Sequence, residues 1–98
     1  MQAQSRPLWA WSEVHGWGML SSNPNVTDAS KRLASFGRNL SRLRSQACLS
    51  QEKLAERADV HPRYIQKLEA GTAHPSLMVL CRLRISLGCE WNQLLEKL

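Results

Sequence analysis

Residues 49–71 of the chain read LSQEKLAERADVHPRYIQKLEAG, and the helix signals in this stretch decide the fold. Ser50 suits the N-cap of a helix, and residues 51–58 are good helix formers. Pro62 fits the first turn of a second helix, where its missing N–H has no intrahelical partner to lose. Gly71 suits the C-cap of that helix. The stretch therefore predicts two short helices joined by a tight connection.

The two predicted helices present one continuous apolar side. Leu54, Ala55 and Ala58 lie on one face of the first helix, and Ile65 and Leu68 extend that face into the second. Two helices joined by about three or four residues form a helix-turn-helix, whose second helix enters the major groove of DNA. Double-stranded DNA is therefore the first partner that this stretch predicts.

A longer amphipathic helix is predicted before this pair. Thr27 or Asp28 is suited to cap it, and apolar or small residues then recur at intervals of three and four. These residues are Leu33, Phe36, Gly37, Leu40, Leu43 and Ala47. The opposite face is basic and includes Arg38 and Arg42, while Arg44 lies at the apolar edge, where a charge needs a partner.

Two further helices are predicted after the pair. A polar loop over residues 72–76 leads into a helix that Gly88 ends. Its apolar stripe consists of Leu77, Leu80, Cys81, Leu83 and Leu87. The apolar stripe of the final helix reaches the last residue and consists of Trp91, Leu94, Leu95 and Leu98. Five helices with short connections predict an all-α domain over residues 27–98.

The length and charge of the chain narrow the range of functions. Its 98 residues suffice for one small domain but not for a large enclosed active site. Residues 31–98 hold twelve Lys and Arg against six Asp and Glu, a net charge of +6 within a total of +5 for the chain. This balance favours an anionic partner, with nucleic acid first and a membrane surface second.

The sequence shows no pattern for catalysis or for a bound cofactor. It has no Gly-rich phosphate loop, and neither its histidines nor its cysteines have the spacing of a metal site. We therefore expect neither an enzyme nor a metalloprotein. Cys48, Cys81 and Cys89 are expected to be free and buried. With no apolar run long enough to span a membrane and no secretory signal, the sequence predicts a soluble cytoplasmic protein.

Residues 1–26 show no regular pattern of apolar residues. Trp9, Trp11 and Trp17 lie among glycine, proline, serine and asparagine residues that break regular structure. We expect a mostly irregular, flexible N-terminal extension whose tryptophans touch the domain opportunistically. A partner-binding or dimer-swapping arm is one alternative, and translation that begins at Met19 is another.

Motifs spread from Leu49 to Gly88 resemble those of the phage repressor/Cro-like (XRE-type) helix-turn-helix regulators. They are Leu49-Ser-Gln-x-x-Leu-Ala, Tyr64-Ile65-x-x-Leu68-Glu69-x-Gly71, Pro75-Ser-Leu and Leu87-Gly88. The resemblance covers residues 36–98 and implies a five-helix, lambda-repressor-like DNA-binding domain. It also implies a two-fold dimer on an operator with inverted half-sites.

The resemblance also implies roles for individual residues. Gln51 matches a glutamine that contacts phosphate and in some relatives a base edge, at a helix N-terminus whose partial positive charge favours anions. Arg63 is the best candidate to read a base, because a guanidinium binds guanine O6 and N7 together. The other candidates for DNA contact on the second motif helix are His61, Pro62, Tyr64, Gln66 and Lys67. On the basic face of the first helix, Arg38 and Arg42 are candidates too, with solubility as their alternative role.

Two further implications concern residues away from the DNA-contacting face. Arg44 and Glu69 match positions that commonly form a partly buried ion pair in this family, which gives Arg44 the partner it needs. Cys48 stands where glycine is usual, so the end of the first helix is expected to be reshaped. Arg84 stands where alanine is usual, beside an outward Ile85, so its helix is expected to present an unusual face to the core or to a second subunit.

The sequence thus predicts a homodimeric, sequence-specific transcriptional regulator, a repressor that occupies the major groove of its operator. The dimer contact is expected in the C-terminal helix region. The alternative is a protein-interaction module, such as an antitoxin-like subunit that binds a partner protein and represses its own operon. An exposed apolar patch around Trp91, Leu95 and Leu98 would favour dimerisation or a protein partner.

Overall fold

The computed structural model describes the backbone of residues 24–98 and the side chains of residues 28–98. Within this range the chain forms five helices and no strand, as the sequence predicts. They are α1 (Pro24–Gln46), α2 (Gln51–Ala58), α3 (Pro62–Ala70), α4 (Leu77–Leu87) and α5 (Trp91–Leu94). Residues 1–23 of the predicted extension, which include its three tryptophans, lie outside the described residues.

Helix α1 begins earlier than the sequence predicts. Its first residue is Pro24 rather than a residue after a Thr27 or Asp28 cap. Proline is favoured in the first turn of a helix, because its φ angle is already helical and its missing N–H costs no bond. Asp28 lies one turn into the helix and pairs with Arg32, at 2.8 Å between the charged atoms. The predicted start was wrong because Pro24 occupies the first turn of α1 and does not interrupt regular structure.

The predicted apolar sides of the helices meet in one core. Helix α3 packs against α1 and α2 and contributes Ile65 and Leu68, both fully buried. The other buried apolar residues are Phe36, Leu40, Leu43, Leu54, Ala55, Ala58, Leu83, Cys89 and Leu94. Every helix therefore contributes at least one buried side chain, and α3 is held from its inner side with its outer side exposed.

Helices α1 to α4 all end in the same way. A residue with left-handed backbone donates its N–H to the carbonyl three residues back, and the next residue donates to the carbonyl five back. The left-handed residues are Cys48, Asp59, Gly71 and Gly88. Cys48 has φ of 59°, the conformation that glycine favours. The expected reshaping at this helix end was wrong, because cysteine adopts the backbone that the closure requires.

The final helix is shorter than the sequence predicts. Helix α5 ends at Leu94, and Lys97 has a left-handed φ of 61°. The buried amide of Asn39 donates to the carbonyl of Leu94 at 3.0 Å and to that of Glu96 at 2.9 Å. The carbonyl of Leu94 therefore accepts from α1 instead of from the N–H of Leu98, which donates to the carbonyl of Leu95. The predicted helix up to Leu98 was wrong for this reason.

The three cysteines are free, as predicted, but they differ in burial. Cys89 is buried in the core, Cys81 is half-buried on α4, and Cys48 is exposed. Burial raises the pKa of the Cys89 thiol, because the thiolate loses its hydration. The expectation of three buried thiols was therefore correct for Cys89 alone.

Helix α1 approaches α3 most closely at Gly37. A Cβ atom at this position would lie 2.5 Å from the carbonyl oxygen of Glu69 and 2.7 Å from that of Leu68. Both oxygens belong to the backbone of the last turn of α3, so no side chain can move aside. The absence of a side chain at Gly37 thus sets the distance between α1 and the C-terminal end of α3.

Replacing Gly37 by alanine should lower the free energy of unfolding by about 2 kcal/mol, because α1 and α3 have to separate to admit the Cβ. The value of about 2 kcal/mol is the net loss, since the steric cost outweighs the gain of about 1 kcal/mol that alanine brings to a helix interior. Urea unfolding followed by circular dichroism measures the change. Ser45→Ala, at an exposed position of α1, is the control and should stay within about 0.5 kcal/mol. A Gly37→Ala protein as stable as the parent would contradict the close approach.

Candidate DNA-binding surface

The outer side of α3 carries a row of polar side chains. Arg63, Gln66, Lys67 and Ala70 are all exposed, and their spacing of three, four and seven residues places them on one face. Ile65 and Leu68 occupy the opposite face in the core. Together with His61, which is exposed at the start of the helix, the residues Arg63, Gln66 and Lys67 are called the recognition face below.

The N-terminus of α3 is closed by a histidine rather than by a hydroxyl or carboxylate side chain. His61 is the N-cap, and its Nδ1 accepts the backbone N–H of Arg63 at 3.0 Å. A neutral imidazole that accepts at Nδ1 carries its proton on Nε2. This N–H is a donor suited to a phosphate or to a base acceptor. Pro62 follows at the first helical position, half-buried, and offers no backbone donor.

Tyr64 lies at the margin of the recognition face. It is half-buried, and its hydroxyl donates to the carbonyl of His74 at 3.0 Å. That carbonyl belongs to the loop between α3 and α4. Tyr64 therefore ties the loop to the first turn of α3, and the structure gives it a positioning role beside the DNA contact predicted for it.

A network of four residues fixes α3 against α1 and α2. Arg44 Nε donates to Glu69 Oε2 at 2.6 Å, and its Nη2 donates to Oε1 at 3.2 Å. A third bond runs from Arg44 Nη1 to the carbonyl of Leu49 at 2.8 Å, in the connection before α2. Gln51 Nε2 donates to Glu69 Oε1 at 2.9 Å. The structure thus brings Arg44 and Glu69 together as the resemblance implies, and adds Gln51.

The two charges of this network are largely removed from water. The side chain of Arg44 is 17% exposed and that of Glu69 is 9% exposed. The hydrogen bond to Glu69 raises the pKa of Arg44, and desolvation opposes this effect without cancelling it. Gln51, a candidate for phosphate contact, has one amide N–H bonded to Glu69. The side chain of Gln51, at the N-terminus of α2, is therefore held in place within the single chain.

The structure does not bring Arg38 and Arg42 to the recognition face. At about 100° per residue they lie roughly 100° and 140° around α1 from Gly37, which faces α3. Arg42 Nη2 instead pairs with Glu96 Oε1 at 3.3 Å, and Arg38 Nη2 donates to Ser35 Oγ at 3.0 Å. Both arginines line a shallow cavity with Glu96, beside α5. They remain predictions as DNA contacts, and the geometry favours the alternative role in the fold and on its surface.

Helix α4 has an exposed apolar side that periodicity did not identify. Leu77, Met78 and Ile85 are 72%, 63% and 68% exposed. Trp91, Leu95 and Leu98, whose exposure would favour dimerisation or a protein partner, are also exposed, but to a smaller extent of 36–38%. The assignment of Leu77 to the stripe that faces the core was therefore wrong. We call Leu77, Met78, Cys81 and Ile85 the α4 face.

Arg84 lies between the α4 face and α5. Its guanidinium carbon is 5.2 Å from the centroid of the Trp91 ring, a cation–π contact. Its Nε is buried and has no hydrogen-bond partner within the described part of the chain. The expected unusual side of this helix is thus an arginine that covers a tryptophan, next to an apolar surface.

Other kinds of site are not seen in residues 24–98. No helix of this range is both long enough and apolar enough to cross a membrane. Over the same residues, no three His, Cys, Asp or Glu side chains are placed together so as to bind a metal ion.

Comparisons with known proteins identify a helix-turn-helix family and two control or controller proteins as similar to this chain. The profile of the helix-turn-helix family HTH_3 matches residues 40–94. Control protein C.BamHI of Bacillus amyloliquefaciens is 37% identical over 62 residues, which are 62% of this chain and 76% of that protein. The crystal structure of the restriction-modification controller protein C.AhdI from Aeromonas hydrophila shares 34% identity and superposes with a TM-score of 0.61. That match covers 63% of this chain and 94% of the other.

Removal of the buried carboxylate should destabilise the domain. We expect Glu69→Ala to lower the free energy of unfolding by about 3 kcal/mol, because it leaves the guanidinium of Arg44 buried without a counter-charge. Urea unfolding measures the loss.

Glu56→Ala is the matched control, since Glu56 pairs with Lys53 on the surface and its side chain is 70% exposed. That variant should lose no more than about 1 kcal/mol. Equal losses in the two variants would show that the pair of Arg44 and Glu69 has no special part in the fold.

Proposed function

Since the chain belongs to the helix-turn-helix family HTH_3 and is a Cro-like, DNA-binding transcriptional regulator, we propose that it binds an inverted-repeat operator as a homodimer. Helix α3 would enter the major groove of each half-site. The observation that carries the proposal is the recognition face, a row of exposed polar and basic side chains on a helix that is fixed from behind by buried contacts. A rigid helix with an open polar side is suited to read base edges.

Within this proposal the residues divide into readers and positioners. Arg63 reads a guanine through two hydrogen bonds, and Lys67 and Gln66 contact neighbouring bases or phosphates. His61 donates from Nε2 at the end of α3, and Gln51 contacts phosphate from the N-terminus of α2. Pro62 and Tyr64 shape the start of α3 and its loop. Arg44 and Glu69 act on DNA only through the position of α3.

The dimer contact in this proposal is the α4 face, with α5 beside it. Leu77, Met78 and Ile85 are exposed in the single chain, and burial of a large apolar side chain is worth about 1.5–3 kcal/mol. A second copy packed on the same surface would form a two-fold contact. Two recognition faces would then face two half-sites about one helical turn apart. This agrees with the dimer expected through the C-terminal helix region.

The names of the relatives suggest what is regulated. One is a control protein and the other is a restriction-modification controller protein. We propose that this chain likewise controls transcription in a restriction-modification system, acting in the bacterial cytoplasm as a repressor that blocks the promoter. We assign it no catalytic activity. In the antitoxin-like alternative the α4 face would bind a different protein, and the oligomeric state of the pure chain separates the two.

Arg63 should contribute base discrimination rather than general affinity. After a bound sequence has been selected from a random DNA pool, Arg63→Ala should lower the preference at one base position of each half-site by about 1–3 kcal/mol. Binding to a panel of single-base variants measures the effect. Arg38→Ala, about 100° around α1 from the side that faces α3, is the matched control and should leave the base preferences unchanged. If Arg63→Ala weakened binding to specific and to random DNA equally, Arg63 would not be a residue that reads a base.

The α4 face should control the oligomeric state. Ile85→Asp places a charge in the proposed contact and should convert the dimer into a monomer in sedimentation equilibrium, with binding reduced to single half-sites. Ser45→Asp adds the same charge at an exposed position of α1, outside the proposed contact, and should leave the dimer intact. A pure parent chain that is monomeric and enriches no DNA sequence would favour the antitoxin-like alternative.

A further inference from the structure

An apolar groove opens beside the N-terminal half of α1, and His74 and Pro75 of the loop before α4 also line it. It has a volume of about 290 Å³. Leu33 and Phe36 of α1 form one wall, Leu80 of α4 forms another, and Leu95 and Leu98 close the third side. Leu95 and Leu98 are exposed. The groove thus leaves apolar surface in contact with water along the N-terminal half of α1.

The groove is close to the point where the N-terminal segment joins the domain. Ala29 and Arg32 line it, and α1 begins at Pro24. At 1.5 Å per residue, Ala29 lies about 7.5 Å along the helix from Pro24. A segment that ends at Pro24 is therefore tethered next to the groove, which gives its side chains a local concentration of the order of millimolar.

The sequence of this segment is unusually aromatic. Residues 1–23 contain three of the four tryptophans of the chain, together with Leu8, Val14, Met19 and Leu20. The HTH_3 match begins only at residue 40, and the match with C.AhdI covers 94% of that protein but 63% of this chain. The three tryptophans thus precede the matched family region, and none of them belongs to the recognition face.

We propose that the N-terminal segment binds its own domain, with the indole of Trp17 in the groove formed by Leu33, Phe36, Leu80, Leu95 and Leu98. Six residues lie between Trp17 and Pro24, and the seven steps from one Cα atom to the other span up to about 24 Å when extended, so the segment is long enough to reach the groove. The volume is close to the lower limit of about 300 Å³ for small-ligand sites, which suits one large aromatic side chain. The occupant is the same chain, not a second copy.

The α4 face does not compete for this groove. The groove takes Leu80 from α4, whereas the proposed dimer contact uses Leu77, Met78 and Ile85, which do not line it. An indole in the groove would cover Leu95 and Leu98 in the turn that Asn39 holds. The segment would therefore cover these two leucines, and the inference does not depend on DNA binding.

Fluorine NMR of the full chain labelled with 5-fluorotryptophan tests the proposal. Each of the four resonances is assigned by a Trp→Phe variant. We expect the Trp17 resonance to differ from its position in urea-unfolded protein. Leu98→Ser or Leu95→Ser, in the groove, should return it toward the unfolded position, while the Trp91 resonance and the circular dichroism spectrum show that the domain remains folded.

Two controls make the outcome decisive. Leu77→Ser changes the same residue type outside the groove and should leave the Trp17 resonance where it is. Ile85→Asp, the monomer variant, should also leave it, because the contact lies within one chain. The proposal would be overturned if the Trp17 resonance of the parent stood at its unfolded position, or if the groove variants did not shift it. A shift to the unfolded position on dilution or in the monomer variant would also overturn it, because the contact would then need a second copy. So would a response of the Trp9 or Trp11 resonance to the groove variants in place of Trp17.

Discussion

The ion pair between Arg44 and Glu69 is the contact on which the geometry of the domain depends. Its two side chains come from α1 and the last turn of α3, and their remaining bonds reach Leu49 before α2 and Gln51 within it. Three helices are therefore tied at one point near the recognition face. A buried pair of this kind contributes little net stability compared with an apolar substitute. Its direction-dependent bonds instead fix how α3 is turned relative to the rest of the domain.

The same region shows how close packing and charge act together. Gly37 admits the backbone of Leu68 and Glu69 against α1, and this approach brings the Glu69 carboxylate within reach of Arg44. The left-handed residue Gly71 then ends α3 directly after these contacts. The last turn of α3 is thus held by backbone contact, by charge and by its closure. The first turn is held by the buried side chain of Ile65, by the His61 cap and by the bond from Tyr64 to the loop.

What the sequence predicts well in this domain is local. The cap at Ser50, the initiation at Pro62, and the ends at Gly71 and Gly88 follow from residues within one turn of each other, and so does the core side of α2 and α3. The ion pair came from the family resemblance, since a lone arginine at an apolar edge does not name its partner. Leu77 was misplaced because periodicity defines a stripe but not which way it faces. The last helix was overextended because its carbonyls are taken by Asn39, a residue far away in the chain.

That contact of Asn39 also has a kinetic meaning. Its amide reaches across 55 and 57 residues to the carbonyls of Leu94 and Glu96, whereas the contacts between α2 and α3 close within a short stretch. Long loops cost more entropy to close and contribute late to folding. We therefore expect the pair of motif helices to form before the C-terminal turn docks on α1. Opening of this turn in the native protein would expose the buried Leu94 at the end of the core.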